Sequence, residues 1–312
     1  MAIDLGLLNP LVSGIRRRDI VGRWAEALER ELQQPADQRD PDFIRQIVPA
    51  MELLGRYFGA EVRHIERIPP QSPVVLVGNH SGGAITPDTS VLIAAWYRAR
   101  GFDDPLALLA VDALFGIPAF KTLCRKLGLV PASSGNADRA LERGSSLLLY
   151  PGGAHEVFRS WTARNRIDFA GRKGFIRLAL RSRAPVVPVV GHGGHESIVV
   201  LSRGEKLARL VGMDRIRLSI FPIIAQVPWG ISSPVLPGLP LPVKITVEVC
   251  EPLDWAKYEP EAAEDPVIVD RCYEEITAVM QATLTRLAAE HPRPLATRLG
   301  ELLPSFSRRS AS

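Results

Sequence analysis

Cysteine is scarce: Cys124, Cys250 and Cys272 are the only three in 312 residues. An odd number at such wide spacing forms neither a disulfide framework nor a zinc motif and suits a reducing compartment. A secretory signal is also missing, because Asp4 interrupts the first apolar stretch and Arg16 to Arg18 follow the apolar part instead of preceding it. The longest uncharged stretch, Leu218 to Val243, has the length of a membrane-spanning helix, but Pro222, Pro228, Pro234, Pro237, Pro240 and Pro242 would break one. No Gly-Lys-Ser/Thr closes any glycine loop, which excludes a P-loop. No G-x-S-x-G elbow surrounds Ser81, which argues against a serine hydrolase. His155, Glu156, His192, His195 and Glu196 lack a metal-ligand spacing, so no metal site is expected.

What is present is the composition of a folded globular protein, 46% hydrophobic and 23% charged, with a net charge of +4. Basic residues concentrate between Arg159 and Arg183, where Arg159, Arg164, Arg166, Arg172, Lys173, Arg177, Arg181 and Arg183 face a single acid, Asp168. Two readings stay open for that run: a solvated basic face, or a surface for an anionic membrane. Nucleic acid is not an expected partner, since the run lacks the aromatic pattern of a base-stacking platform.

Apolar runs at Val74–Val77, Ser146–Tyr150 and Val186–Val190 read as buried strands. Each ends in a glycine-rich turn: Gly78 to Asp88, Pro151 to Glu156, and Gly191 to Glu196. Further strands are expected at Leu106–Val111, Leu129–Val130 and Lys244–Cys250. Helices are expected near Phe43–Phe58, Thr89–Arg100, Ile117–Leu127, Asn136–Gly144, Gly174–Arg183 and Val267–Glu290, with Asp88 or Thr89 capping the second and Asn136 the fourth. Alternating strands and helices predict an α/β fold, a largely parallel mixed sheet flanked by helices. Residues 1–42 read as a helical, membrane-surface or docked arm, 43–291 as the α/β domain, and 292–312 as a frayed basic tail.

Open α/β sheets place their sites beyond the carboxyl ends of the strands, which directs attention to the glycine turns. His80 stands in the first of them as a candidate general base, with Asp88 the only nearby carboxylate to orient it. Gly82, Gly83, Gly152 and Gly153 leave backbone amides uncovered for an oxyanion.

The order strand, Asn79-His80, helix, strand, Pro151-Gly152-Gly153-x-x-Glu156, Arg172-Lys173-Gly174-Phe175 and Pro185-Val186-Val187-Pro188-Val189 resembles the glycerolipid acyltransferase superfamily, most closely its diacylglycerol acyltransferase-like branch. Pro228-Trp229-Gly230, Leu239-Pro240-Leu241-Pro242, Lys244-Ile245-Thr246 and Glu251-Pro252 extend the likeness, which covers roughly residues 50–290. The resemblance implies an acyl-CoA-dependent O-acyltransferase of glycerolipid-acyltransferase fold, with acyl-CoA as co-substrate, no permanently bound cofactor, and a lysophospholipid or a mono- or diacylglycerol as acceptor. It implies that His80 is the base and an aspartate its partner. The family spacing puts that aspartate five residues after the histidine, where this chain has Ile85, and the carboxylate arrives at Asp88; Thr86, Glu156 and Glu196 are the substitutes. Glu156, Arg159, Arg172, Lys173, His192 and Glu196 are the expected substrate-binding residues. The phosphate-binding Phe-Pro-Glu-Gly-Thr-Arg pattern is replaced by Tyr150-Pro151-Gly152-Gly153-Ala154-His155-Glu156, which favours a neutral acceptor. Peripheral attachment on the cytoplasmic side of a membrane is expected, and the alternatives are a lipid esterase or thioesterase and a catalytically silent lipid-binding protein.

Overall fold

A computed structural model describes residues 39–302 except 72, 84–85, 117, 211–219 and 234–237. The expected N-terminal arm lies almost wholly outside the described residues. Helix α1 (Pro41–Tyr57) begins at Asp40, whose carboxylate accepts the Phe43 N–H at 2.9 Å. Then follow β1 (Glu61–Arg63), β2 (Val75–Gly78), α2 (Pro87–Arg100), β3 (Leu106–Ala110), α3 (Pro118–Lys126), β4 (Leu129–Pro131), α4 (Ser134–Glu142), β5 (Ser146–Leu149), α5 (Gly153–Val157), α6 (Gly174–Ser182) and β6 (Val186–His192). The second half comprises β7 (Val199–Ser202), α7 (Glu205–Leu210), β8 (Ile223–Gln226), β9 (Gly230–Ser232), β10 (Thr246–Val249), α8 (Pro266–Glu290) and α9 (Pro294–Leu302).

Seven strands form the main sheet in the order β1-β10-β6-β2-β5-β3-β4. From β6 to β4 all neighbours are parallel, and β10 joins β6 antiparallel. The expected largely parallel mixed sheet is therefore present. Its central strand, β2, is buried along its whole length because helices cover both faces. Side chains alternate along it: Val75 and Val77 join the core under α6 and α8, and Leu76 joins the opposite core under α1 and α2. Neighbours β5 and β6 put the three glycine turns at one edge of the sheet, side by side.

Three local expectations are corrected. Helix α2 is capped by Thr86, not by Asp88 or Thr89. Helix α4 is capped by Ser133, whose Oγ accepts the Asn136 N–H, because Asn136 lies one turn inside and its amide donates to the Pro131 carbonyl at 2.8 Å. The expected frayed tail holds helix α9, which docks: Lys244 N–H donates to the Pro294 carbonyl and the Arg298 guanidinium to the Tyr57 carbonyl. Residues 303–312 of that tail lie outside the described residues. The proline-rich segment contributes β8 and β9 to a second sheet, ordered β7-β8-β9 and antiparallel throughout.

Candidate active site

The site is assembled where β5, β2 and β6 end. Gly78, the last residue of β2, lets the Tyr150 ring cross the strand: a Cβ there would lie 2.4 Å from Tyr150 Cε1. The next residue, Asn79, ties the end of β2 to the end of β6, its amide nitrogen donating to the Gly191 carbonyl at 2.9 Å and its oxygen accepting the Gly191 N–H at 2.8 Å. His80 then stacks on Tyr150, with ring centroids 4.3 Å apart. These contacts fix the backbone on one side of the imidazole and its plane on the other.

Glu156 fixes the remaining side. Its Oε2 accepts the His80 N–H at 2.9 Å, across 76 residues of sequence, and its other oxygen pairs with Arg159. Both side chains are buried, so the pair stands in a low dielectric. Burial raises the Glu156 pKa and Arg159 opposes that rise. His195 is hydrogen-bonded to the His80 backbone, and its Nε2 is buried without a protein partner.

His80 Nδ1 is likewise buried without a hydrogen-bond partner among the described residues. Burial, assisted by the nearby Arg159 charge, lowers its pKa to about 4. The imidazole is consequently neutral at pH 7, which is the state a general base requires. Desolvation also lowers His192 to about 4 and His195 to about 3.

The expected His80–Asp88 pair is not formed. Asp88 lies in the first turn of α2, where Ser81 Oγ donates to its Oδ2 at 2.8 Å and Thr89 N–H to its Oδ1 at 2.8 Å. The left-handed backbone of Thr86 starts the helix so that this carboxylate is taken up beneath the turn. Burial raises its pKa to about 6, against the pull of those hydrogen bonds. Thr89 Oγ1 donates in turn to Tyr150 Oη at 2.8 Å, so Asp88 reaches the tyrosine on which His80 stacks without reaching the imidazole. Ser81, committed to Asp88, is not activated by His80.

Several binding assignments also change. Arg159 is 7% exposed, held by Glu156 and by the Ala163 carbonyl, and does not face solvent as a phosphate ligand would. Arg172 is exposed but clamps the Pro151 and Gly152 carbonyls, each at 2.8 Å. Lys173 pairs with Asp270 on α8 at 2.6 Å. Gly153 N–H closes a turn on the Tyr150 carbonyl and is not available to an oxyanion, and Gly152 leads into α5 with its Cα against Glu156. Gly82 and Gly83 both have positive φ, and Gly83 packs so closely on Ile198 that a Cβ would lie 2.1 Å from Ile198 Cδ1. His192 and Glu196 remain together, with Ser81, His195 and Arg164, around a cavity of about 230 Å³. Glu196 there pairs with Arg164 at 3.2 Å.

The basic run is largely neutralised by distant acids: Arg177 approaches Glu264, Arg181 Asp138 and Arg183 Glu259, at 3.0–3.6 Å. With Arg159, Arg164, Arg172 and Lys173 also engaged, it does not form the open cationic face that its composition suggests. Asn79, Ser81, Thr89, Tyr150 and His195 are the residues that sequence reasoning passed over as site components. Asn79 and Ser81 flank the singled-out histidine, and Tyr150 ends a buried strand directly before a glycine turn, which was the available signal.

Substitution Gly78→Ala is expected to push Tyr150 off its stack. Overpacking of this kind costs about 1–3 kcal/mol. A lowered melting temperature and a slower turnover, compared with wild type in the same buffer, would register it.

A neutral buried imidazole at the end of a central parallel strand, with its backbone and ring plane fixed but one nitrogen unpartnered, defines a site for proton abstraction by histidine in an α/β enzyme. The acyltransferase family model matches residues 59–191. An uncharacterised protein of Mycobacterium tuberculosis is 33% identical over 291 residues, covering 92% of this chain and 76% of its own length. Human 2-acylglycerol O-acyltransferase 3 is 31% identical over 150 residues, or 45% of this chain and 42% of the human protein. The crystal structure of the 1-acyl-sn-glycerophosphate acyltransferase from Thermotoga maritima superposes with a TM-score of 0.48 at 18% identity, covering 84% of this chain and 87% of that one. The chain belongs to the glycerolipid acyltransferase superfamily.

Proposed function

We propose that the protein moves a fatty acyl group from an acyl thioester, acyl-CoA, to the hydroxyl of a neutral glycerolipid or related lipid alcohol at a membrane surface. The observation that carries this reading is the unpartnered, neutral imidazole of His80. His80 takes the proton of the acceptor hydroxyl as its oxygen attacks the thioester carbonyl. Amides of the Gly82-Gly83 turn stabilise the tetrahedral oxyanion. Collapse breaks the carbon–sulfur bond, the departing thiolate takes the proton back from the imidazolium, and an ester and a free thiol leave without an acyl-enzyme. Tyr150, Glu156 and Asn79 hold the base, and Asp88 positions Ser81 and Thr89 beneath it.

A neutral acceptor is favoured because Arg159, Arg164, Arg172 and Lys173 are already paired or hydrogen-bonded. The acceptor's polar end belongs in the cavity between Ser81, His192, His195 and Glu196, whose imidazoles and carboxylate suit hydroxyl groups. The human relative's name, 2-acylglycerol O-acyltransferase, agrees with such an acceptor. Competition between mono- or diacylglycerol and lysophosphatidate for one labelled acyl-CoA tests it: ester should form on the neutral lipid, and exclusive acylation of the phosphorylated one would overturn the assignment.

The pH dependence follows from the form of His80 that reacts. Only the neutral imidazole accepts the proton, and its pKa in the free protein is lowered to about 4. The His80 limb of kcat/KM is therefore expected to fall near pH 4, well below the ~6.5 of an ordinary histidine. A profile of kcat/KM against pH, compared with the same profile for Asp88→Asn to remove that carboxyl group's titration, checks this.

A further inference from the structure

The second sheet ends in an apolar tip that nothing in the site requires. Strands β8 and β9 belong to a 26-residue stretch, Leu218 to Val243, without one charged residue. At the β8–β9 turn, Trp229 is 52% exposed and Ile231 74%, and Leu239, bridged to Val227, is 67% exposed. Leu201 on β7 and Leu210 at the end of α7 extend the same display, Leu210 at 83%. Isolated exposed apolar residues are ordinary, but large ones gathered on one small sheet mark an interaction surface.

We infer that the tip of the β7–β8–β9 sheet, led by Trp229, Ile231 and Leu239, is a wedge that enters the headgroup layer of an anionic lipid surface beside the catalytic turns. Three features select a bilayer as the occupant. Charge is absent from the tip but present at its edge, where Lys206 and Arg209 on α7 are exposed and form no ion pair among the described residues. Cations bordering an apolar tip match anionic headgroups above acyl chains. A tryptophan at the turn fits the interfacial layer, where its ring is apolar and its N–H wet. The sheet is also built onto the site: Ile198, just before β7, packs under Gly83, Ile198, Val200 and Ile224 form a core with Phe158, and the Leu241 N–H donates to the Ser197 carbonyl at 2.8 Å. A wedge so anchored sets the active-site mouth against the phase in which a lipid acceptor is dissolved. That last point rests on the proposed function, whereas membrane entry itself does not.

Partition of the full chain into vesicles tests the inference. Wild type should sediment with vesicles of phosphatidylcholine and phosphatidylglycerol, and brominated acyl chains should quench its tryptophan fluorescence. Trp229→Ser/Ile231→Ser/Leu239→Ser is expected to weaken partition by about tenfold or more while keeping the wild-type melting temperature. Trp229→Phe should keep partition and lose most of the quenching. Lys206→Gln/Arg209→Gln should lower binding to anionic vesicles only. The triple variant should retain transfer from a short-chain acyl-CoA to a soluble alcohol, which separates failure of the wedge from failure of the acyltransferase reading. Equal partition of wild type and triple variant would overturn the wedge, and so would a change from dimer to monomer with partition unaltered, which would make the tip a self-association surface.

Discussion

Replacement of His80 by alanine is expected to lower acyl transfer by roughly a hundred- to ten-thousand-fold, the range for loss of a general base. The loss should fall on kcat, with the acyl-CoA KM little changed, because the imidazole acts on the acceptor's proton in the transition state. Stability should change modestly. Nδ1 has no partner whose loss would leave an orphan, and the stack on Tyr150 is of a kind worth about 0.5–1.5 kcal/mol. Steady-state kinetics and a melting curve on the same preparation check both parts. A catalytically silent lipid-binding protein would show no transfer in either form, with lipid binding intact in both.

Glu156→Ala carries the second large effect, and it falls on fold and rate together. It strands the Arg159 guanidinium, 7% exposed, without its counter-charge and removes the acceptor of the His80 N–H. Breaking a buried pair from one side costs about 3–5 kcal/mol. Chemical denaturation should show that loss as a lower midpoint at unchanged slope. The double replacement Glu156→Leu/Arg159→Met removes both charges and should recover much of the stability, since an apolar pair of similar volume replaces a buried ion pair at little cost. It should not recover the rate, because no oxygen then holds the His80 backbone. Glu156→Gln keeps an acceptor for that N–H and should be the most active of the three. If all three turned over like wild type, Glu156 would have no part in positioning the base.

The architecture was legible in the sequence wherever a segment carries its own pattern. The Val-rich runs that became β2 and β6 and the apolar spacing of α1 and α8 depend on local periodicity, and each element lies where that periodicity puts it. Adjacency of the three glycine turns followed from their strands being neighbours in a parallel sheet. Contacts set by the path of a loop were not legible. Asp88 is the nearest carboxylate to His80 in the chain, yet the turn gives it to Ser81 and Thr89, while the carboxylate that holds His80 comes from residue 156. The basic run misleads for the same reason: its counter-charges, Asp138, Glu259, Glu264 and Asp270, lie outside it in sequence. Helix α9 had a local signal, Pro294 followed by Leu295, Leu299 and Leu302 at helical spacing, that the basic character of the tail concealed.

The central claim is transfer of an acyl group to an alcohol by direct attack, and product identification tests it most directly. Purified protein is incubated with one labelled acyl-CoA and a panel of neutral and phosphorylated lipid alcohols, and products are read by mass alongside free thiol. The account predicts one equivalent of ester on a neutral glycerolipid or related alcohol for each thiol released, and none with His80→Ala. Labelled fatty acid in place of ester across the whole panel would contradict it and make the protein a thioesterase.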